Sequence, residues 1–373
     1  MHCNRRDSSY KPRNLGRQLA KKSKTQSATV KSAFGAHNRA RLVNLYFSQK
    51  PVPSPADAWR VVYELLLWLD RTTGLAHCYE SDKTQPGKPW YPRALAFHAW
   101  LASAFGAAPQ SLSEVLDWLF RQATSDLAKH LLARQAALLA RAKKQRAPFE
   151  DKNLPVPGED PELVAIIQEV LGDHFATQPN EQKWRELVQR VRQHVTLENK
   201  RKNLVGEGFE DVIASVIERT TTGYDVRARR LLQTVPGFEN EKKGEKPNKV
   251  DVVVLSPVSG RRILVTAKWS IRADREKQFP AEFSTYVTAK SDLKPFEYVL
   301  VTNEFDPARL VRACESMAGH SPMFTHVVHM NTNALRATYG ESPEDSMKSA
   351  IGYIDSGRLV NLESWLSGLG AAK

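Results

Sequence analysis

The stretch VDVVVLSPVSGRRILVTAK, residues 250–268, decides the fold, because it contains two β-branched runs separated by a short turn. The runs VDVVVL (250–255) and RILVTAK (262–268) have the length and composition of buried strands. Between them, SPVSG (256–260) combines proline, serine and glycine, which is typical of a tight turn. The segment therefore predicts a hairpin in which the first strand begins beside the end of the second.

Two more strand-like runs, EYVLVTN (297–303) and THVVHM (325–330), follow the hairpin. Helical patterns precede and alternate with the strands, at about 203–219, 274–290 and 306–317. A strand pair followed by alternating helices and strands predicts an α/β fold, a mixed sheet flanked by helices.

The N-terminal half has a different periodicity. AWRVVYELLLWLDR, RALAFHAWLASAF and SLSEVLDWLFRQATSDLAKHLLARQAALLARAKK place apolar residues at helical spacing between residues 56 and 146. APFEDKNLPVPGEDP (147–161) then interrupts the pattern with four prolines and a glycine. We expect a flexible basic arm over residues 1–50, an all-helical accessory domain over 51–150 and the α/β domain over 151–373.

The net charge of +13 is concentrated in the arm, where residues 1–50 hold twelve Lys and Arg and one acid, Asp7. A basic segment suits an anionic polymer such as a nucleic acid backbone. A flexible, solubilising tail explains the same charge, so charge alone does not choose between the two. The loop ESDKTQPGKPWYPR (80–93) leaves a similar choice between a DNA contact and a packed surface loop.

The composition also predicts a cytoplasmic protein. No apolar run of about 18 residues or secretory signal is apparent, which argues against a membrane or secreted protein. Cys3, Cys78 and Cys314 are far apart, which fits a reducing compartment and argues against a zinc ribbon. No GxxxxGK[ST] loop occurs, which excludes an NTP-driven motor.

Acids and a lysine at the hairpin suggest phosphodiester chemistry. Hydrolysis needs an activated water and neutralisation of the phosphate, and carboxylates that bind Mg²⁺ supply both. Asp251 opens the first strand and Lys268 ends the second, so we expect them to lie side by side. Upstream, Glu210 lies in the amphipathic segment NLVGEGFEDVIASVIERT, whose apolar face is expected to pack on the sheet.

This order of Glu on a helix, Asp on a strand and Lys on the next strand resembles the PD-(D/E)xK nuclease superfamily. The superfamily usually has an acid two residues before the lysine, where this chain has Thr266. One branch moves that carboxylate to the following helix, and Glu282 stands in the matching place. The resemblance implies catalysis by Asp251, Lys268, Glu282 and Glu210, with the three carboxylates as Mg²⁺ ligands.

The run KWSIRADR (268–275) resembles the restriction endonucleases that cut sites with a CCGG core. The resemblance implies that Arg272, Asp274 and Arg275 read the bases. Their chemistry agrees, because Arg matches the O6 and N7 acceptors of guanine and Asp accepts from N4 of cytosine. A surface ion-pair cluster is the alternative for these three side chains.

Taken together, the resemblance implies a type II restriction endonuclease acting on double-stranded DNA as a homodimer or homotetramer. It also implies a restriction–modification system with a protective DNA methyltransferase. Two alternatives stay open: another PD-(D/E)xK nuclease, such as a junction resolvase or repair enzyme, and a non-catalytic DNA-binding protein.

Overall fold

The chain divides into two compact units in this computed structural model. One unit comprises the described residues up to Arg39 together with Gln122–Leu197, and the other comprises Ala40–Arg121 and the chain from Glu198 onward. The expected domain boundaries near residues 50 and 150 stay predictions. The structure describes residues 32–80, 82–152, 161–171, 180–239, 248–272, 276–341 and 343–371.

Seven helices of the described chain precede the sheet. They are α1 (Ala36–Gln49), α2 (Ala58–Leu66), α3 (Tyr91–Phe105), α4 (Leu112–Val115), α5 (Trp118–Arg146), α6 (Pro161–Leu171) and α7 (Glu181–Thr220). The helical pattern expected between residues 56 and 146 is thus present as α2 to α5, with irregular segments between them.

Helix α1 lies inside residues 1–50, the segment predicted to be a flexible arm. Leu42, Val43 and Tyr46 on this helix are buried, and the Tyr46 hydroxyl donates to Glu64 at 2.5 Å. A short apolar stripe therefore outweighs the basic composition of the segment. The rest of the predicted arm, residues 1–31, lies outside the described residues.

The first unit has a small core of its own. Trp184 of α7 is buried, with Ile167 of α6 and Leu187 packed against it. The Asn38 side-chain amide donates to Asp126 of α5 at 3.2 Å.

The strands of the second unit are β1 (Asp225–Leu231), β2 (Lys249–Leu255), β3 (Arg262–Lys268), β4 (Glu297–Thr302), β5 (Met317–Ala318), β6 (Ser321–Pro322), β7 (His326–His329) and β8 (Leu359–Asn361). Six of them form a mixed sheet in the order β1-β2-β3-β4-β7-β8. Strands β1, β2 and β3 are antiparallel neighbours, whereas β3, β4, β7 and β8 run parallel. Strands β5 and β6 form a separate two-stranded sheet.

Helices accompany this sheet, and the predicted mixed α/β fold is confirmed. The end of α7 buries an apolar stripe of Phe209, Val212, Ile213, Val216 and Ile217. The remaining helices are α8 (Gln278–Ala289), α9 (Pro307–Glu315), α10 (Thr332–Tyr339), α11 (Asp345–Asp355) and α12 (Leu362–Ala371).

The two edge strands of the sheet, β1 and β8, were not predicted from the sequence. The sequence of β1, DVRARRL, has four charged residues in seven, and β8 is only three residues long. Charged or very short strands are common at sheet edges, where they discourage pairing with other chains.

None of the helices in the described ranges is long and apolar enough to cross a lipid bilayer.

Candidate active site

Strands β2 and β3 bring Asp251 and Lys268 into contact. Oδ2 of Asp251 accepts hydrogen bonds from Nζ of Lys268 at 2.5 Å and from the backbone N–H of Ala267 at 3.0 Å. The Thr266 hydroxyl lies 3.3 Å from the same oxygen. The position where the superfamily usually has an acid therefore adjoins Asp251, and here a threonine occupies it.

The Asp251–Lys268 ion pair is partly desolvated. The exposed fraction is 19% for the Asp251 side chain and 12% for the Lys268 side chain. Removal from water strengthens charge interactions, so a partly buried pair holds its geometry better than an exposed one.

Glu210, on α7, interacts electrostatically with both members of this pair. Burial raises the pKa of the Glu210 carboxyl, the nearby charge of Asp251 raises it further, and the positive charges of Arg229 and Lys268 lower it. Its Oε2 accepts a hydrogen bond from Nη1 of Arg229 at 3.2 Å. The charge of Glu210 thus interacts with those of Asp251 and Lys268, and the catalytic roles of all three stay predictions.

Arg229 was not identified from the sequence, although it is central to the carboxylate cluster. Its guanidinium group contacts both Glu210 and Asp211, and its Nη1 also donates to the carbonyl of Glu207 at 3.3 Å. The desolvation of these acids is therefore offset by one shared cation.

The backbone of Arg229 is unusual as well. Its φ angle is +50°, in the left-handed region that non-glycine residues rarely adopt. Its two neighbours in β1 pair with Val252 and Val250, so Arg229 stands opposite Asp251. Backbone strain concentrates at functional sites, where surrounding contacts hold it in place. The basic run VRARR (226–230) gives no sequence signal for this conformation.

Glu282, on α8, faces the sheet. Its Oε2 accepts a hydrogen bond from the hydroxyl of Tyr298, a buried residue of β4, at 3.0 Å. Burial raises the pKa of both Tyr298 and Tyr286, and the charges of Glu282 and Asp251 raise each pKa further. Both carboxylates therefore act on the same two tyrosines. Glu282 is thus not the fully solvated helix acid that its composition alone would suggest.

The expected base-reading residues follow β3. Trp269 packs beneath this segment against the rings of Tyr63 and Phe209, at centroid distances of 6.4 and 5.3 Å. Arg272 is exposed, as a DNA-reading side chain has to be. Asp274 and Arg275 lie outside the described residues, so their role stays a prediction.

The donor chemistry of the site fits Mg²⁺. Asp251, Glu210 and Glu282 supply hard oxygen donors, and the mutual repulsion of the first two would be relieved by a cation. Within the described residues, no three His, Cys, Asp or Glu side chains are close enough to form a ready-made metal site. Mg²⁺ is commonly held by one or two carboxylates together with waters and substrate phosphates.

The loop at residues 80–93 uses several of its basic groups inside the protein. Nζ of Lys83 lies 3.6 Å from Asp306, and an Nη atom of Arg93 lies 2.7 Å from Glu344. Lys83 and Arg93 also stack on Trp90. These contacts favour the packed surface loop over a DNA contact.

Comparison with solved structures finds a likeness to the restriction endonuclease PspGI in complex with substrate DNA. The identity is 11% and the TM-score 0.34, over 81% of this chain and 96% of that one. No protein-family model and no curated protein matches the sequence. We therefore argue function from this chain's own residues.

Proposed function

We propose that this chain is a type II restriction endonuclease of the PD-(D/E)xK superfamily, which hydrolyses double-stranded DNA with Mg²⁺. The observation that carries the proposal is the contact between Asp251 and Lys268 across neighbouring antiparallel strands. Glu210 and Glu282 belong to helices that precede and follow that pair in sequence, and the charge of Glu210 interacts with that of Asp251. An acid and a lysine held together beside further carboxylates match the needs of phosphodiester hydrolysis.

Each side chain has a part in this chemistry. Lys268 orients the attacking water and offsets the negative charge of the scissile phosphate. Asp251 and Glu282 are the proposed ligands of the metal, and Glu210 assists as an outer ligand. Bound Mg²⁺ would lower the pKa of its water and stabilise the leaving oxygen. Arg229 holds Glu210 in place through its guanidinium group.

The proposed target is a palindrome with a CCGG core. Arg272, which follows the catalytic strand by four residues, would read guanine in the major groove, together with Asp274 and Arg275. A twofold homodimer, or a homotetramer built from such dimers, would present this reader to both half-sites. A DNA methyltransferase would protect the host at the same sequence.

Digestion of unmethylated plasmid tests the proposal. Wild-type protein should give discrete fragments in Mg²⁺ and none in EDTA, and Asp251→Asn should give none in either. Cutting that follows DNA structure instead of sequence would indicate a resolvase or repair nuclease. Binding without any cleavage would indicate a non-catalytic DNA-binding protein.

A further inference from the structure

Strands β3 and β4 remain linked beyond the point where the sheet ends. Lys268 and Thr302 are register partners at the last step of the parallel ladder. One residue further on, the backbone N–H of Asn303 donates to the carbonyl of Trp269 at 3.0 Å. The segment after the catalytic lysine is therefore tied to the segment after β4.

The carboxylate of Glu304 extends this connection. Its Oε2 accepts a hydrogen bond from the backbone N–H of Ile271 at 2.6 Å. Its Oε1 accepts hydrogen bonds from the backbone N–H groups of Phe305 at 3.0 Å and Asp306 at 2.8 Å. One carboxylate thus hydrogen-bonds backbone groups that follow β3 as well as backbone groups that follow β4.

Burial makes this contact costly to lose. Glu304 is 3% exposed and Ile271 is fully buried. Burial raises the pKa of Glu304, whereas the hydrogen bonds from the backbone N–H groups lower this pKa. A buried carboxylate is tolerated only when its oxygens are hydrogen-bonded, and the cation Arg309 stands 3.5 Å away.

Tyr63 of α2 also supports the junction, by which we mean residues 269–272 after β3 together with residues 303–306 after β4. The Tyr63 hydroxyl donates to Oδ1 of Asn303 at 2.7 Å, and the Tyr63 ring contacts Trp269. Trp269 and Ile271 are therefore fixed by contacts from both sides, and Arg272 is the next residue along the chain.

We propose that Glu304 is a positioning residue for base recognition, which fixes Arg272 relative to the catalytic Lys268 by holding the N–H of Ile271. This inference rests on the proposed restriction function. Base readout depends on side-chain placement within a fraction of an ångström. A loosened junction should therefore reduce discrimination between DNA sites more than it reduces cleavage at the best site.

The substitution Glu304→Gln tests the inference. A glutamine keeps one acceptor oxygen for the N–H groups of Phe305 and Asp306, but it presents an NH₂ group to the N–H of Ile271. Single-turnover cleavage is measured on a duplex with a CCGG core and on one in which a single G·C pair of the core is changed. The ratio of the two rates should fall at least about tenfold, the discrimination expected of one arginine–guanine pair.

Two variants serve as references. Arg272→Ala removes the reader itself and should lower the same ratio. Glu297→Gln makes the identical substitution at the opposite end of β4, where the carboxylate binds Arg261, and should leave the ratio unchanged.

The outcomes separate this inference from the function on which it rests. A normal ratio in Glu304→Gln, beside a reduced ratio in Arg272→Ala, would overturn the role of Glu304 alone. Equal cutting of both duplexes by wild-type protein would overturn the recognition function and this inference with it. If Glu304→Gln does not fold, hydrogen exchange of the wild-type chain decides. The Ile271 amide must be as protected as that of Val265 in β3. Rapid exchange at Ile271 would refute the hydrogen bond to Glu304 and the positioning role with it.

Discussion

Nζ of Lys268 lies 2.5 Å from Oδ2 of Asp251, across two adjacent antiparallel strands. The two residues stand seventeen positions apart in sequence, and the hairpin between them creates the contact. The proposed hydrolysis of a phosphodiester depends on this contact between the ammonium group of Lys268 and the carboxylate of Asp251.

Lys268→Ala should lower the rate of single-turnover DNA cleavage by about 10²- to 10³-fold, because it removes the charge that stabilises the transition state. Specific binding, measured by fluorescence anisotropy with Ca²⁺ in place of Mg²⁺, should stay within a few fold of wild type. The exposed Lys294, altered to Ala in the same way, is the matched control and should cut normally. Equal rates for Lys268→Ala and wild type would remove Lys268 from the mechanism.

Glu282→Ala should abolish cleavage if the carboxylate of α8 replaces the one missing at Thr266. The Thr266 hydroxyl is 3.3 Å from Asp251, so a carboxylate restored there would adjoin the same site. The double variant Glu282→Ala/Thr266→Glu should therefore recover part of the Mg²⁺-dependent rate. Wild-type cleavage by Glu282→Ala alone would end the displaced-carboxylate interpretation.

Arg229→Gly should be more stable than Arg229→Ala by about 1 kcal/mol, because glycine adopts a φ of +50° without steric cost. Both substitutions delete the ion pairs with Glu210 and Asp211, so their difference reports the backbone alone. The same two substitutions at Arg227, in the regular part of β1, should rank in the opposite order. Denaturant unfolding measures all four, and a less stable glycine at position 229 would argue against the strained backbone.

We expect His329 to make the free energy of unfolding depend on pH. Burial lowers the pKa of this fully buried imidazole to about 4 from its usual 6.5. Between those values the unfolded chain binds more protons than the folded one, so stability is complete above pH 6.5 and falls as the pH drops toward 4. The loss attributable to His329 should approach about 3 kcal/mol.

Unfolding free energies at pH 7 and pH 4.5 check this expectation. The variant His329→Asn should show a smaller loss between the two values than wild type, whereas His320→Asn, at an exposed position, should show the wild-type loss. An unchanged pH dependence in His329→Asn would mean that other groups cause the acid sensitivity.

The central strands were predictable from composition. RILVTAK at 262–268 coincides with β3, and VDVVVL at 250–255 lies within β2, because buried strands need near-continuous β-branched residues. The edge strand β1 was not predictable, since an edge tolerates the charged sequence DVRARRL. Helix α1 was missed for a related reason: its buried stripe is short and its surroundings are basic.

The candidate site was predictable where residues act through neighbouring strands. Asp251 and Lys268 meet because a short hairpin fixes their register. Arg229 is distinguished by its backbone conformation, and Glu304 by a hydrogen bond to a residue 33 positions away in sequence. Neither feature leaves a motif in the sequence. The importance of such residues follows from tertiary packing, which the periodicity of a single segment does not reveal.

Sequencing the ends of DNA digested by the wild-type chain in Mg²⁺ tests the central claim most directly. We predict that nearly all ends map to one palindromic site with a CCGG core, with the same offset on both strands, and that Lys268→Ala yields about 10²- to 10³-fold fewer such ends in the same time. Ends scattered without a common sequence, or an equal yield of site-specific ends from Lys268→Ala, would contradict the account.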